Sequence, residues 1–186
     1  MEQTHQGRIA IVTGAASGIG AAIAHHLAER GARIAGVDIA AGLDDAVAAW
    51  PGEGHTAHRA DLTDPKAARS VVDDVVRSLG TPDILVNSAG VVFLGPASDL
   101  SAEDWQRTID INLSGSFYMA QAAGSVMVEA GWGRIVNLAS QGAVVGLDQH
   151  VAYSASKAGI LGMTKVMSLE WAPRGVTVNA VSPTIV

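Results

Sequence analysis

Five short apolar runs recur along the chain, at Ile9–Val12, Ile34–Val37, Ile84–Val86, Ile135–Leu138 and Val176–Val181. Most are apolar nearly throughout rather than at alternate positions, and all are rich in β-branched residues. That pattern predicts strands covered on both faces, as in a parallel sheet. A weaker run at Thr56–Arg59 is a sixth candidate. The longer amphipathic segments between the runs predict helices over Gly18–Arg30, Leu43–Trp50, Pro65–Leu79, Ser101 to about Met127, and Tyr153–Trp171. Asp64 before Pro65 predicts an N-cap with proline in the first turn, and Ser101 with Asp104 has the spacing of a capping box. Gly31 and Gly80 mark helix ends. Strands alternating with helices predict a Rossmann-type α/β fold, a doubly wound parallel sheet with helices on both faces. No internal repeat, low-complexity tract or linker interrupts the chain, so residues 1–186 are read as a single domain.

Composition narrows the partners. The 186 residues are 48% hydrophobic, enough for one buried core. Twelve Lys and Arg against eighteen Asp and Glu leave a net charge of -6 with no basic run, a surface that repels phosphate backbones, so nucleic acid is not expected as a partner. The absence of cysteine removes disulfides and thiolate metal sites, and no metal centre is expected. The first residues carry neither a basic nor an apolar targeting region, and no uncharged apolar stretch approaches the roughly 18 to 20 residues that span a bilayer. A cytoplasmic protein with no membrane association is the expectation. The mean hydropathy of +0.27 then reflects a buried core or contacts between subunits.

Directly after the first strand comes Thr13-Gly14-Ala15-Ala16-Ser17-Gly18-Ile19-Gly20, with a helix starting inside it. Gly14 permits the turn, Gly18 lets backbone N–H groups approach a diphosphate, and Gly20 lets the helix pack on the sheet, while the helix N-terminus attracts the anion. Asp38 closes the second strand eighteen residues beyond Gly20, near the offset expected of an acid that binds adenosine ribose hydroxyls. Together they predict an NAD site.

Tyr153-Ser154-Ala155-Ser156-Lys157 places a phenol and an ammonium four residues apart, on one helix face. A phenol ordinarily ionises near pKa 10, and a general acid/base works best near the ambient pH. At about 4 Å and an effective dielectric of about 20, one cation stabilises a phenolate by roughly 4 kcal/mol, the order that such a change demands.

The spacing T-G-x-x-x-G-x-G, with Asn87-Ser88-Ala89-Gly90 after the fourth strand and the Tyr153/Lys157 pair, resembles the compact form of the short-chain dehydrogenase/reductase family over essentially the whole chain. Ser88 departs from that family's N-N-A-G. The resemblance implies an NAD-dependent alcohol dehydrogenase or carbonyl reductase. In it Tyr153 exchanges the hydroxyl proton, Lys157 assists it and binds the nicotinamide ribose, Ser140 orients the substrate, and Asn112 holds a water in the proton path. Asn has low helix propensity, which favours a functional reason for Asn112. Cofactor contacts are expected at Gly14, Ser17, Gly18, Ile19, Gly20, Asp38, Asp61, Leu62, Asn87, Ala89, Gly90, Tyr153, Lys157, Pro183 and Val186. Gln141 and His150 are candidate substrate contacts, with Gln149, Val144 and Val92 similarly placed. The family also implies a homodimer or homotetramer, for which Ala120, Ala123, Ala155, Gly159 and Gly162 offer close helix contact.

Family members usually carry P-G where this chain reads Pro183-Thr184, a threonine shared with some sugar and polyol enzymes, so a polyol, sugar alcohol or hydroxyketone substrate is expected. They also continue with a substrate loop, further helices and a final strand, so a C-terminally incomplete domain is expected. Two alternatives are an NAD-binding regulator without turnover, whose relatives lack an intact Tyr–Lys pair, and a ketoacyl-type reductase. The latter usually carries a basic residue in the glycine loop, where Ala15-Ala16-Ser17 offers none.

Overall fold

A computed structural model describes residues 4–184. The apolar runs form six strands in the order β3-β2-β1-β4-β5-β6. They are β1 (Ile9–Thr13), β2 (Arg33–Asp38), β3 (Thr56–Arg59), β4 (Ile84–Asn87), β5 (Gly133–Leu138) and β6 (Val176–Val181). Every neighbouring pair is parallel. The chain winds outward from β1 in one direction and from β4 in the other, so the crevice for a ligand lies at the carboxyl ends of these two strands.

Six α-helices cover the sheet: α1 (Gly18–Glu29), α2 (Leu43–Ala48), α3 (Pro65–Ser78), α4 (Ala102–Ile109), α5 (Gly115–Ala130) and α6 (Val151–Trp171). Strand side chains alternate between faces, so β1, β2, β4 and β5 feed two cores. Ile9, Ile11 and Ile135 pack against α3, α5 and α6 through Val72, Met119, Met127 and Met167. Ala10, Val12 and Ile34 pack against α1 and α2 through Ala24, Ala28 and Leu43. The expected caps form: the Asp64 side chain accepts from the Lys66 amide, and Ser101 accepts from the Asp104 amide while donating to its carboxylate.

Two helix boundaries differ from expectation for physical reasons. α2 stops before Trp50, because the following Pro51 disfavours helical backbone at that residue, and the indole packs into the core instead. The helix expected from Ser101 to about Met127 is divided by a π turn, Asp110–Ser114, which carries Asn112. A π turn accommodates an extra residue and is frequent at functional sites.

Three of the five small residues expected to join subunits pack within the chain instead. Ala120 and Ala123 are fully buried within the chain and seat α5 against the sheet, and a Cβ on Gly159 would lie 2.7 Å from Leu113. Of the five, Gly162 is exposed and Ala155 half-buried. Among the described residues no helix is long and apolar enough to cross a membrane.

Gly124 shows the same economy of space: a Cβ there would stand 2.5 Å from the Trp171 ring. Gly124→Ala gains about 1 kcal/mol of helix propensity but overpacks the α5–α6 contact at a cost of about 1–3 kcal/mol. We expect thermal unfolding of the variant about 2–4 °C below wild type. A higher melting temperature would show that Trp171 is not wedged there.

Candidate active site

The carboxyl ends of β1, β2, β4 and β5 bring the glycine loop, Asp38, the Asn87–Gly90 turn and Ser140 to one edge of the sheet. Gly14 has φ +67°, and a Cβ on it would lie 2.9 Å from the Ala89 backbone. The Thr13 hydroxyl accepts from the Ser88 and Ala89 amides at 3.0 and 3.1 Å. Glycine loop and β4 turn are therefore locked together. A Cβ on Gly20 would collide with the Gly14 carbonyl, whereas Gly18, at φ +58°, has nothing within 4 Å of that position. Gly20 is thus needed for packing, and Gly18 for its backbone angle and the open approach beside it. Ser17 caps α1 with extended backbone and no side-chain cap bond. Ile19 turns its side chain into the α1 core, so it could offer a ligand chiefly its main-chain N–H.

Asp38 is held at both oxygens, by the Ala16 amide at 3.0 Å and the Ala40 amide at 3.0 Å. This presets the carboxylate and leaves lone pairs for further donors, a donor set that fits ribose hydroxyls. Asp61 uses one oxygen to accept from the Thr63 amide and hydroxyl, and Leu62 packs toward the core beside Gly115. Asn87 is buried and donates to the Ser116 carbonyl and to Asn137, so it braces the site from beneath. A Cβ on Gly90 would stand 3.2 Å from Asn112 Oδ1 and 3.6 Å from Lys157 Nζ. Pro183 accepts from the Gln141 amide and ties the end of β6 to the Ser140 loop. Val186 lies outside the described residues.

Lys157 is 5% exposed, and its Nζ donates to the Leu138 carbonyl at 2.7 Å, 5.7 Å from the centroid of the Tyr153 ring. Burial lowers its pKa to about 8. Tyr153 is half-buried, and among the described residues its hydroxyl has no protein partner. Ser140 Oγ accepts from the Gly142 amide at 3.1 Å, which leaves its own proton free to donate. Asn112 is brought to Lys157, with its side chain clamping Val91: Oδ1 accepts from the Val91 amide and Nδ2 donates to the Val91 carbonyl. Nδ2 also donates to Ser156 Oγ, which donates in turn to the Tyr153 carbonyl.

His150 Nδ1 lies 2.5 Å from the Asp148 carbonyl. A carbonyl can only accept, so Nδ1 carries the proton and Nε2 of the neutral ring is an acceptor. The ring stands edge-on to Tyr153 at 6.0 Å. The Gln141 side chain is exposed, and Val92 and Val144 are 47% and 72% exposed. Gln149 adopts φ +60° and its carbonyl accepts from the Gly95 amide. Cavities of 440 Å³ beside Arg33 and Glu53 and of 310 Å³ between α5 and α6 lie apart from the Tyr153–Lys157 pair. Among the described residues no cluster of metal-ligating side chains occurs. Sequence reasoning missed Thr13, Ser116, Asn137, Ser156 and Thr164 as site supports. Thr13 heads the glycine motif, but the others meet their partners through the fold alone.

The family described as short chain dehydrogenase matches residues 8–186. The D-threitol dehydrogenase of Mycolicibacterium smegmatis is 55% identical over 183 residues, covering 97% of this chain and 70% of that protein. The NAD-dependent glycerol dehydrogenase of Listeria innocua is 46% identical, covering 96% and 70%. The crystal structure of an NAD+-bound xylitol dehydrogenase superposes with a TM-score of 0.95 at 36% identity, covering 97% of this chain and 71% of that one.

The burial of Lys157 predicts a pH-dependent effect on stability. Its folded-state pKa of about 8 lies below the ordinary 10.5, so between those values the native protein binds fewer protons than the unfolded chain and stability rises with pH. Below about pH 8 the buried charge costs about 3 kcal/mol. Lys157→Met removes that cost but leaves the Leu138 carbonyl unpaired, at about 1–2 kcal/mol. In urea the variant should be about 1–2 kcal/mol more stable than wild type at pH 7, and this advantage should disappear by about pH 10. A variant equally destabilised at both pH values would refute the assignment of a costly buried charge.

Proposed function

The chain belongs to the short-chain dehydrogenase family, and from that premise we propose that it interconverts a secondary alcohol and a ketone with NAD, acting on a polyol. The Tyr153–Lys157 pair carries this reading, with Nζ anchored to the Leu138 carbonyl and facing the phenol. In the direction of oxidation, Tyr153 Oη takes the alcohol proton. The Lys157 charge stabilises the phenolate form, and Ser140 orients the substrate by donating to its oxygen. The nicotinamide, when bound, supplies the acceptor for the hydride leaving the carbinol carbon. The glycine loop and the first-turn amides of α1 would hold the diphosphate, Asp38 the adenosine ribose, and Lys157 the nicotinamide ribose. The polyol reading draws on relatives named for threitol, glycerol and xylitol, on Thr184, on the polar His150 ring beside Tyr153, and on the exposed Gln141 that follows Ser140. The intact Tyr–Lys pair argues against a regulator without turnover.

The test is NADH formation with D-threitol, glycerol and xylitol. Tyr153→Phe removes the hydroxyl and keeps the ring, so turnover should vanish while NADH binding stays nearly intact. Residual activity above about a tenth of wild type would mean a loss under roughly 1.4 kcal/mol and would remove Tyr153 from the role. NAD should be preferred over NADP at least about tenfold, because a 2'-phosphate of charge near -2 would face the Asp38 carboxylate. Asp38→Ala should erode this preference. Equal use of both cofactors by the wild type would reduce Asp38 to a strand-end cap.

We also propose that two copies associate through the outer faces of α5 and α6, where Phe117, Val166 and Leu169 are 37%, 54% and 79% exposed. Sedimentation at micromolar concentration should show a dimer or tetramer, and a monomer alone would count against this.

A further inference from the structure

We propose that Asn137 and Thr164 are positioning residues, which hold Lys157 in register with the sheet through a closed circuit of hydrogen bonds, all buried but the part-buried bond that closes it. The inference rests on the reading of Lys157 as the group that assists proton transfer at Tyr153. The circuit starts on α6, where Thr164 Oγ1 accepts from Asn137 Nδ2 at 2.9 Å. Asn137 Oδ1 accepts from Asn87 Nδ2 at 2.9 Å, across the paired register of β4 and β5. Asn87 Nδ2 also donates to the Ser116 carbonyl at 3.1 Å, and the Ser116 hydroxyl donates to the Asn112 carbonyl at 2.7 Å. Asn112 Nδ2 donates to Ser156 Oγ at 3.1 Å, and Ser156 Oγ donates to the Tyr153 carbonyl at 2.7 Å, back on α6.

Three observations make this more than core packing. Asn137 is fully buried on the strand face that carries Ile135, where an apolar side chain would pack without desolvating an amide. Its two bonds join β5 to β4 and to α6, and through Asn87 to Ser116 on α5, so α6, which bears Tyr153 and Lys157, and the start of α5, which follows the π turn of Asn112, are tied to one point. Thr164 follows Lys157 by seven residues, two helical turns, and both meet β5: Thr164 at the Asn137 side chain, Lys157 at the carbonyl of the next residue, Leu138. Two anchors about 10 Å apart fix the axial position and the rotation of α6, whereas one would let the helix pivot. The ammonium has no other hydrogen-bond partner among the described residues, and the titratable group facing it is Tyr153.

The test compares Thr164→Val, which keeps the shape and removes the hydroxyl, with Thr164→Ser, which keeps the hydroxyl. Ile160→Val, a buried substitution on the same helix outside the circuit, controls for lost packing. The chain has three lysines, Lys66, Lys157 and Lys165, so the Lys157 side chain can be followed individually by carbon-13 NMR titration in the full chain. In Thr164→Val its midpoint should move from about 8 by roughly half a unit or more, because a displaced ammonium changes both its burial and its bond to the Leu138 carbonyl. Polyol oxidation should lose about tenfold or more in kcat in the same variant. Thr164→Ser should keep both near wild type, and Ile160→Val should lower the melting temperature while moving neither. An unchanged Lys157 midpoint in Thr164→Val, or an equal shift in Ile160→Val, overturns the proposal. A shifted midpoint with unchanged kcat upholds the circuit and removes Lys157 from proton transfer.

Discussion

A single buried ammonium organises the candidate site. Lys157 lies almost out of water, and among the described residues no carboxylate pairs with it; its hydrogen bond is to the Leu138 carbonyl. A charge in that position is tolerable only if the groups around it stay where they are, because a small displacement would exchange a short bond to a carbonyl dipole for an unsatisfied buried cation. Much of the surrounding architecture answers that requirement. Gly90 has no side chain where one would crowd Asn112 Oδ1, and the π turn brings Asn112 to the backbone of Val91 and to Ser156. The end of β5 supplies the carbonyl.

The opposite side of the crevice is built on a different principle. There the charge is negative, half-exposed and satisfied by backbone amides: Asp38 holds the glycine loop by the Ala16 amide and its own strand end by the Ala40 amide. The Thr13 hydroxyl adds a second tie, from β1 to the turn after β4. These contacts preorganise a surface that would receive a diphosphate and a ribose, whereas those around Lys157 hold the ammonium beside Tyr153, as the proposed proton transfer would require. The two halves meet at the β1–β4 edge because the winding direction reverses there. Family membership and crevice therefore describe one site.

Much of this was legible in the chain because the signals are local. Continuous apolar runs mark buried parallel strands, Asp64 and Ser101 mark helix starts, and the spacings of Gly14, Gly18 and Gly20 and of Tyr153 and Lys157 report what one turn or one helix face can bring together. Resemblance carried Ser140 and Asn112, which no spacing rule would have linked to Tyr153. What only the tertiary structure decided are contacts between residues far apart in sequence. No periodicity separates the buried Asn137 from a surface asparagine or Thr164 from a helix-face threonine, and none announces that Ala120 and Ala123 face the core. The interruption of a long helix by the π turn at Asp110–Ser114 was invisible for the same reason. Helical pattern reports which face is apolar, whereas the extra residue is stabilised by the Asn112 side chain reaching Val91 and α6, elements that the sequence lists but does not place.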